Sequence, residues 1–227
     1  MALMLFSIAN AQEEIADSIR IHAEKGMELV GQEEYHKAID EFKTFIKSVP
    51  DDPGILFYTG LCYGKLGEYQ KAISYFEKTT KIMPGASQAY VNWGGCLTKI
   101  YIESKDPKVL DDAISLYQRA ITANANMADA YYNLSSALIH KWRETDDVSF
   151  VEESRERILK AIEIIPDVGH YHYNLACVEA LLGNVSEMLS SLQKALEYDP
   201  SLKIIAREDK DFSGYYDHSD FIELTSD

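Results

Sequence analysis

The sequence contains few of the residues that interrupt secondary structure, with six prolines and twelve glycines among 227 residues. Sheet-rich folds need many tight turns, and these depend on proline and glycine, so the low counts disfavour such a fold. Cysteine is also scarce: Cys62, Cys96 and Cys177 are odd in number, far apart, and form no C-x-x-C pair. This spacing suits neither a disulfide framework nor a zinc site. Each cysteine lies in an apolar helical stretch, so we expect all three in the core.

Basic residues are in deficit, with 22 Lys and Arg against 37 Asp and Glu, a net charge of -15. Binding of nucleic acid needs clustered Lys and Arg, so we expect no such partner. No apolar run approaches the roughly 20 residues that span a bilayer. The acidity is concentrated at the ends: residues 1–52 have five basic and eleven acidic groups, and residues 128–227 have nine and twenty. The middle of the chain is close to neutral.

Catalytic motifs are missing as well. The sequence has no G-x-S-x-G, no glycine-rich phosphate loop and no H-E-x-x-H. Its six histidines are scattered, and His170 and His172 are two residues apart, which points them to different faces of a helix. We therefore predict a protein that is not an enzyme and has neither a metal site nor a cofactor.

What the sequence does contain is an internal repeat. Gly26, Gly60 and Gly94 are separated by 34 residues each. The same spacing relates Tyr35 to Tyr69, Ala38 to Ala72, Phe42 to Phe76, and Pro50 to Pro84. Further along, Asn92, Asn133 and Asn174 are separated by 41 residues each. Periods of this length are typical of solenoid proteins.

Each repeat has the pattern of two amphipathic helices. In Ile55–Lys65 and Tyr69–Met83, apolar residues recur at intervals of three and four, which predicts one buried stripe per helix. Gly67 marks the turn between the helices, and Pro84 ends the second helix because its ring cannot continue it. The small residue Gly60 predicts a close approach of the paired helices.

The stretch Gly60-x-x-Tyr63-x-x-x-Gly67-x-Tyr69-x-x-Ala72-x-x-x-Phe76…Pro84 resembles the signature of the tetratricopeptide repeat family. The resemblance implies an all-α fold, a right-handed α-α superhelix of helix-turn-helix units. We predict an N-terminal segment (1–18), five units (19–52, 53–86, 87–127, 128–168 and 169–202) and a C-terminal cap (203–227). Ser154 and Met188 depart from the alanine usual in the second helix of a unit.

Units three and four are each seven residues longer than the standard unit, with the extra residues around 102–110 and 142–150. Asp106-Pro107 predicts a new helix start, because an N-cap aspartate is followed by proline in the first turn. Seven residues shared by two helices lengthen each by about one turn, roughly 5 Å. The longer hairpins either pack on each other or form a ridge that contacts a partner.

The two ends of the chain each allow two interpretations. Residues 1–9 are apolar and Ala9-Asn10-Ala11 resembles a signal-peptidase site, so this segment is either the remnant of a signal peptide of an exported protein or an apolar cap on the first helix of a cytoplasmic one. Near the other end, Asp209, Asp211, Ser213, Gly214, Asp217 and Asp220 follow the spacing of a calcium-binding EF-hand loop. The alternative that we favour is a closing segment that resembles the one found after many bacterial tetratricopeptide arrays, in which Phe212, Phe221 and Leu224 cover the last repeat.

Tetratricopeptide arrays hold a peptide or helix against the first helix of each unit, so the resemblance implies a protein-binding scaffold with a concave groove. The residues that helical phase assigns to this groove are Phe57, Leu61, Lys65, Val91, Thr98, Lys99, Tyr132, Ser136, Ile139, His140, Tyr173, Cys177 and Leu181. The asparagines Asn92, Asn133 and Asn174 lie one helical step away, either bonding a ligand backbone or tying helices together. A further possibility is self-assembly through residues 1–18 or the hairpin ridge. The sequence identifies neither the partner nor the oligomeric state.

Overall fold

The structure is a computed structural model that describes residues 2–226, with side chains from residue 17 onward. This part of the chain contains twelve α-helices, one 3-10 helix and no strand, which confirms the all-α prediction. The α-helices are α1 (Ala2–Gly31), α2 (Tyr35–Ser48), α3 (Pro53–Lys65), α4 (Tyr69–Ile82), α5 (Ser87–Ser104), α6 (Pro107–Ala123), α7 (Ala128–Thr145), α8 (Ser149–Ile164), α9 (Gly169–Leu182), α10 (Val185–Tyr198), α11 (Leu202–Glu208) and α12 (Ser219–Thr225). The 3-10 helix, Lys210–Tyr215, lies between α11 and α12. Within residues 2–226, no helix combines the length and the apolar character that crossing a membrane requires.

Local sequence signals set the ends of several helices. Asp52 caps α3, accepting a hydrogen bond from the Ile55 N–H at 2.8 Å. Asp106 caps α6 in the same way, through the Lys108 N–H at 3.0 Å, and this confirms the predicted helix start. In both cases proline occupies the first turn, where its missing N–H costs nothing. Gly67 has a left-handed φ of 75°, which allows the tight turn between α3 and α4.

The chain forms two compact units, residues 1–100 and residues 101–227. In the first unit, α1 packs on α2 and α3 packs on α4, around the fully buried rings of Phe42 and Phe76. The close approach predicted at Gly60 is present, because a Cβ atom there would lie 2.9 Å from the Phe76 ring. Cys62 and Cys96 are buried as expected, and burial raises the pKa of each thiol to about 11.

In the second unit, consecutive helices from α6 to α10 pack on one another. The departures from the family pattern are accommodated locally. Ser154 is fully buried on α8, where its hydroxyl lies 2.8 Å from that of Ser135 on α7 and donates to the Ser135 carbonyl at 3.0 Å. Met188 on α10 is also fully buried, in a cluster with Ala176 and Leu192.

The last elements of the chain cap α9 and α10. Phe212 and Phe221 are 0% and 2% exposed, their ring centroids are 5.5 Å apart, and both pack in the cluster that contains Leu192. Leu224, the third residue assigned to the cap, is half-buried. The Tyr215 hydroxyl donates to the Ala180 carbonyl at 2.9 Å, which ties the 3-10 helix to α9. The predicted capping helix is therefore confirmed.

The long hairpins of the middle of the chain contact one another. Helices α5 and α7 have 18 residues each, against 13 in α3 and 14 in α9. Near their ends, the Tyr101 ring lies 5.5 Å from that of His140, and Lys141 Nζ lies 2.6 Å from Asp111 Oδ1. These contacts favour packing of the hairpins on each other, although Val148 at the tip is 54% exposed.

At the N-terminus, α1 continues without a break through Ala9-Asn10-Ala11. The side chains of residues 1–16 lie outside the described residues. The signal-peptide interpretation, the role of residues 1–18 in assembly and the division of the chain into five units all stay predictions.

Candidate functional site

A pocket of about 270 Å³ lies within the second unit, bordered by α7, α9 and the segment that follows α11. Its lining includes six of the residues that helical phase assigned to the groove: Tyr132, Ser136, Ile139, His140, Tyr173 and Cys177. Five further lining residues were not assigned to the groove from sequence: Arg143, His170, Asn174, Asp209 and Asp211.

The α7 side of the pocket is one stripe of a single helix. Tyr132, Ser136, Ile139, His140 and Arg143 are separated by four, three, one and three residues, the spacing that places side chains on one helical face. The stripe changes character along its length. It starts with an aromatic ring, continues through a hydroxyl and an aliphatic side chain, and ends in an imidazole and a guanidinium group.

The floor of the pocket is aromatic. The Tyr132 ring lies 5.2 Å from that of Tyr171, whose hydroxyl donates to Asp129 Oδ1 at 2.8 Å. The Tyr173 ring meets Phe212 of the cap edge-on at 5.8 Å. Burial raises the pKa of Tyr132, so its hydroxyl is protonated at neutral pH. The pocket thus offers ring faces together with hydroxyl groups.

Asp209 enters this pocket from the C-terminal segment. Its Oδ2 accepts a hydrogen bond from the Tyr173 hydroxyl at 2.8 Å and a weaker one from the Cys177 thiol at 3.8 Å. Its Oδ1 accepts from the backbone N–H of Asp211 at 3.1 Å. Burial, reinforced by the carboxylates of Asp209 and Asp211, raises the pKa of Tyr173 and of Cys177. Both side chains therefore remain protonated donors.

An ion pair joins the end of α7 to the 3-10 helix. Arg143 Nη2 lies 2.6 Å from Asp211 Oδ1 and 2.8 Å from Oδ2. The Asp211 side chain is 13% exposed and that of Arg143 is 43% exposed. The pair connects residues 68 positions apart and forms one wall of the pocket.

The asparagine positions divide between two roles. Asn174 on α9 donates to the Ser136 hydroxyl at 3.2 Å and to that of Ser135 at 3.4 Å, so it ties α9 to α7. Asn92 instead donates to the Gln88 carbonyl of its own helix at 2.8 Å. The Asn174 amide therefore both holds the helices and lines the pocket.

The histidines differ in their surroundings. His140 faces the pocket, and burial, followed by the nearby Arg143 and Lys105, lowers its pKa. His170 is exposed at the pocket rim. His172 points the other way, as the spacing predicts: it is buried, with Nε2 2.7 Å from the Pro166 carbonyl.

Among the described residues, Cys177, Asp209 and Asp211 bring three potential metal ligands within 4.8 Å of one another. Each has a protein partner, however, since Asp211 pairs with Arg143 and the Cys177 thiol is held protonated. Residues 210–215, the centre of the EF-hand-like stretch, form a 3-10 helix. Neither feature favours a metal site here.

The other predicted groove residues do not line this pocket. Leu181 is half-buried and packs against the core residues Ile139, Val151 and Val178. Phe57 lines a separate apolar cleft of about 170 Å³ in the first unit, beside Pro53 and Met83. Of the rest in that unit, Val91 is buried, Leu61 and Thr98 are half-buried, and Lys65 and Lys99 are exposed.

The missed lining residues had different signals in the sequence. Arg143 follows Tyr132 by eleven residues, so extending the helical stripe by one turn predicts it. Asp209 and Asp211 stood out as charged residues of the closing segment. No local pattern indicates that this segment reaches α7.

Two family models of the tetratricopeptide repeat match the chain, at residues 24–87 and 169–202. The chain contains tetratricopeptide repeats. The second match coincides with α9 and α10, the hairpin that carries Tyr173 and Cys177 to the pocket.

Solved tetratricopeptide structures share the fold. MamA from Desulfovibrio magneticus RS-1, from its residue 41 to the end, is 22% identical with a TM-score of 0.67, covering 82% of this chain and 97% of its own. A thermophilic tetratricopeptide protein of Thermus thermophilus is 19% identical with a TM-score of 0.65, covering 82% and 96%. YrrB, described as a tetratricopeptide protein with an unusual peptide-binding site, is 19% identical with a TM-score of 0.63, covering 88% and 97%. These likenesses establish the solenoid fold, and no curated protein matches the chain.

Proposed function

We propose that this tetratricopeptide protein is a non-catalytic adaptor that binds a peptide or helix of a partner protein in the pocket between α7, α9 and the cap. The observation that carries the proposal is the convergence of Tyr132, Ile139 and Tyr173 with polar side chains in one open pocket. We call this pocket, with the eleven lining residues given above, the groove.

The chemistry of the groove suits a peptide. Aromatic and aliphatic side chains on the floor provide apolar area for one or two side chains of a ligand. Ser136, Asn174 and His140 provide polar groups that can hydrogen-bond to a peptide backbone. An apolar floor with a few polar anchors is the usual composition of a site that recognises peptides or helices.

The surroundings of the groove are rigid enough to pre-organise it. Tyr173 is fixed by its bond to Asp209, and Asn174 by its bonds to Ser135 and Ser136. A site whose side chains are already held in place loses little conformational entropy on binding. YrrB, which has the same fold and is described as having an unusual peptide-binding site, supports this proposal.

The test uses one bulky substitution in two places. A display library of randomised dodecapeptides is selected on the full chain, and affinities of recovered peptides are measured by fluorescence anisotropy. Ser136→Trp fills the groove from α7, so we expect it to weaken binding at least tenfold. Ser190→Trp introduces the same side chain at an exposed position of α10, away from the groove, and is expected to leave affinity unchanged.

Circular dichroism of both variants verifies that the helices are intact. If the recovered peptides bind Ser136→Trp as well as the unmodified chain, they bind elsewhere and the groove is not the site. Failure to recover any peptide that binds would contradict the proposed function itself.

A further inference from the structure

The two members of the ion pair in the groove wall are held very differently. Asp211 lies on the 3-10 helix next to Phe212, whose ring is fully buried in the cap, and its side chain is only 13% exposed. Arg143 lies in the last turn of α7 with a side chain that is 43% exposed. The carboxylate is therefore fixed in position, whereas the guanidinium group is a long side chain at a solvent-facing rim.

Separating this pair costs little free energy at Arg143 and much more at Asp211. Arg143 rotates into water with little loss of packing, because much of its surface is already hydrated. Asp211 stays where the cap holds it and becomes a mostly buried carboxylate without a counter-ion, which is costly. Exchange of Arg143 is therefore favourable only when another cation takes its place.

A second carboxylate strengthens this preference. Asp209 lines the same groove, and its side-chain oxygens accept hydrogen bonds from three neutral donors, those of Tyr173, Cys177 and the Asp211 backbone. Once Arg143 moves away, Asp209 and Asp211 present two negative charges to the groove. None of the three hydrogen-bond donors to Asp209 named above is a cation. An incoming carboxylate would meet both of them.

The charge of the C-terminal part of the chain acts in the same direction. Residues 128–227 contain nine Lys and Arg and twenty Asp and Glu, a net charge of -11. Such a field attracts cationic ligands and repels anionic ones during their approach. The charge that excluded a nucleic-acid partner thus favours a basic peptide.

We infer that the groove recognises a peptide carrying a lysine or arginine beside an apolar residue, with the cationic group replacing Arg143 at Asp211. The apolar neighbour then lies on the floor formed by Tyr132 and Ile139. Arg143 acts as an internal substitute for the cation of the ligand. This inference rests on the proposed function and adds the chemistry of the partner.

The experiment uses the same dodecapeptide library, selected in parallel on the full chain and on Arg143→Gln. Recovered peptides from both are expected to be enriched in Lys and Arg over Asp and Glu. In a recovered peptide, replacing the cationic residue by norleucine is expected to weaken binding about tenfold, a typical effect of a desolvated charge pair. Arg143→Gln removes the internal competitor and is expected to tighten the lysine peptide severalfold while leaving the norleucine peptide unchanged.

The matched control is Arg157→Gln, which changes the net charge equally but removes an arginine paired with Glu153 on α8. It is expected to leave the lysine peptide's affinity unchanged. Asp211→Asn is expected to abolish the difference between the lysine and norleucine peptides. Thermal denaturation establishes whether Asp211→Asn keeps its cap. If it does not, the affinities measured with Arg143→Gln decide whether the cation of the peptide binds at Asp211.

Enrichment of acidic residues, or weaker binding of the lysine peptide to Arg143→Gln, would overturn the inference. Recovered peptides without any charge preference, whose binding Ser136→Trp abolishes, would overturn it while leaving the proposed function standing. Failure to recover any peptide would contradict both.

Discussion

Two glycines inside helices, Gly60 and Gly95, differ in how much space surrounds them. Gly60 on α3 faces Phe76, and a Cβ atom there would lie 2.9 to 3.2 Å from three atoms of a ring that is 1% exposed. Gly95 on α5 has nothing within 4 Å of the same position. The first glycine is required by helix packing, and the second is not.

Alanine substitution separates these two roles. We expect Gly60→Ala to lower the free energy of unfolding by about 1–3 kcal/mol, because the buried ring must shift. Gly95→Ala is expected to raise it by about 0.5–1 kcal/mol, because alanine loses less backbone entropy in a helix. Urea denaturation followed by circular dichroism measures both. Equal effects of the two substitutions would show that the contact with Phe76 does not determine the difference.

His140 makes the stability of the fold depend on pH. Burial, then Arg143 and Lys105, lowers its pKa in the folded chain, and these effects outweigh the opposite influence of Glu144 and Asp211. The unfolded chain therefore binds a proton at higher pH than the folded chain does. By linkage, this group contributes a loss of stability that begins as the pH falls through the ordinary histidine value of 6.5.

The measurement compares the unmodified chain with His140→Gln. We expect the free energy of unfolding of the unmodified chain to fall relative to that of the variant between about pH 7.5 and pH 5. Other titrating groups contribute equally to both proteins and cancel in the difference. A difference that stays constant over this range would be inconsistent with a lowered pKa at this residue.

Helices α7 and α8 are joined by a buried polar contact, with Ser154 in place of the alanine usual in the family. Ser154 donates to the Ser135 carbonyl, and the two hydroxyls lie 2.8 Å apart, both in side chains that are fully buried. Leaving one buried hydroxyl without its partner costs more stability than removing both hydroxyls together.

Single and double substitutions test this contact. We expect Ser154→Ala to lower the free energy of unfolding by about 1 kcal/mol, since the Ser135 hydroxyl is left without this acceptor. Adding Ser135→Ala is expected to recover most of that loss. Guanidinium denaturation of the three variants gives the coupling energy. Strictly additive losses would mean that the two hydroxyls do not stabilise each other.

The elements themselves were predictable because their determinants are local. A 34-residue period, the Asp-Pro helix starts at Asp52 and Asp106, and the turn at Gly67 all act within a few residues of where they occur in the sequence. The groove was predictable only on its helical side, since Tyr132 to His140 follow from helical phase. The wall formed by Asp211 was not, because its partner lies 68 residues away on another element. Leu181 has the right phase but packs against the buried cluster of Ile139, Val151 and Val178.

For the whole molecule, the two compact units predict two regions of independent local stability. Solenoids are held together by contacts between neighbouring elements, so the loss of one core side chain weakens its neighbours first. Phe212 in the C-terminal cap and Phe76 in the first unit are both phenylalanines and are 0% and 1% exposed. They form a matched pair of probes, one in each unit.

Hydrogen exchange measured by mass spectrometry distinguishes local from global effects. Phe212→Ala removes about 3–5 kcal/mol of packing, and we expect amides of α9, α10 and α12 to lose protection while those of α3 and α4 keep it. Phe76→Ala is expected to give the reverse pattern, because its ring packs in the core cluster of the first unit. If either substitution accelerated exchange uniformly in all helices, the chain would unfold as one cooperative body. In that case the groove would depend on the N-terminal helices, and binding by Phe76→Ala would be lost together with its stability.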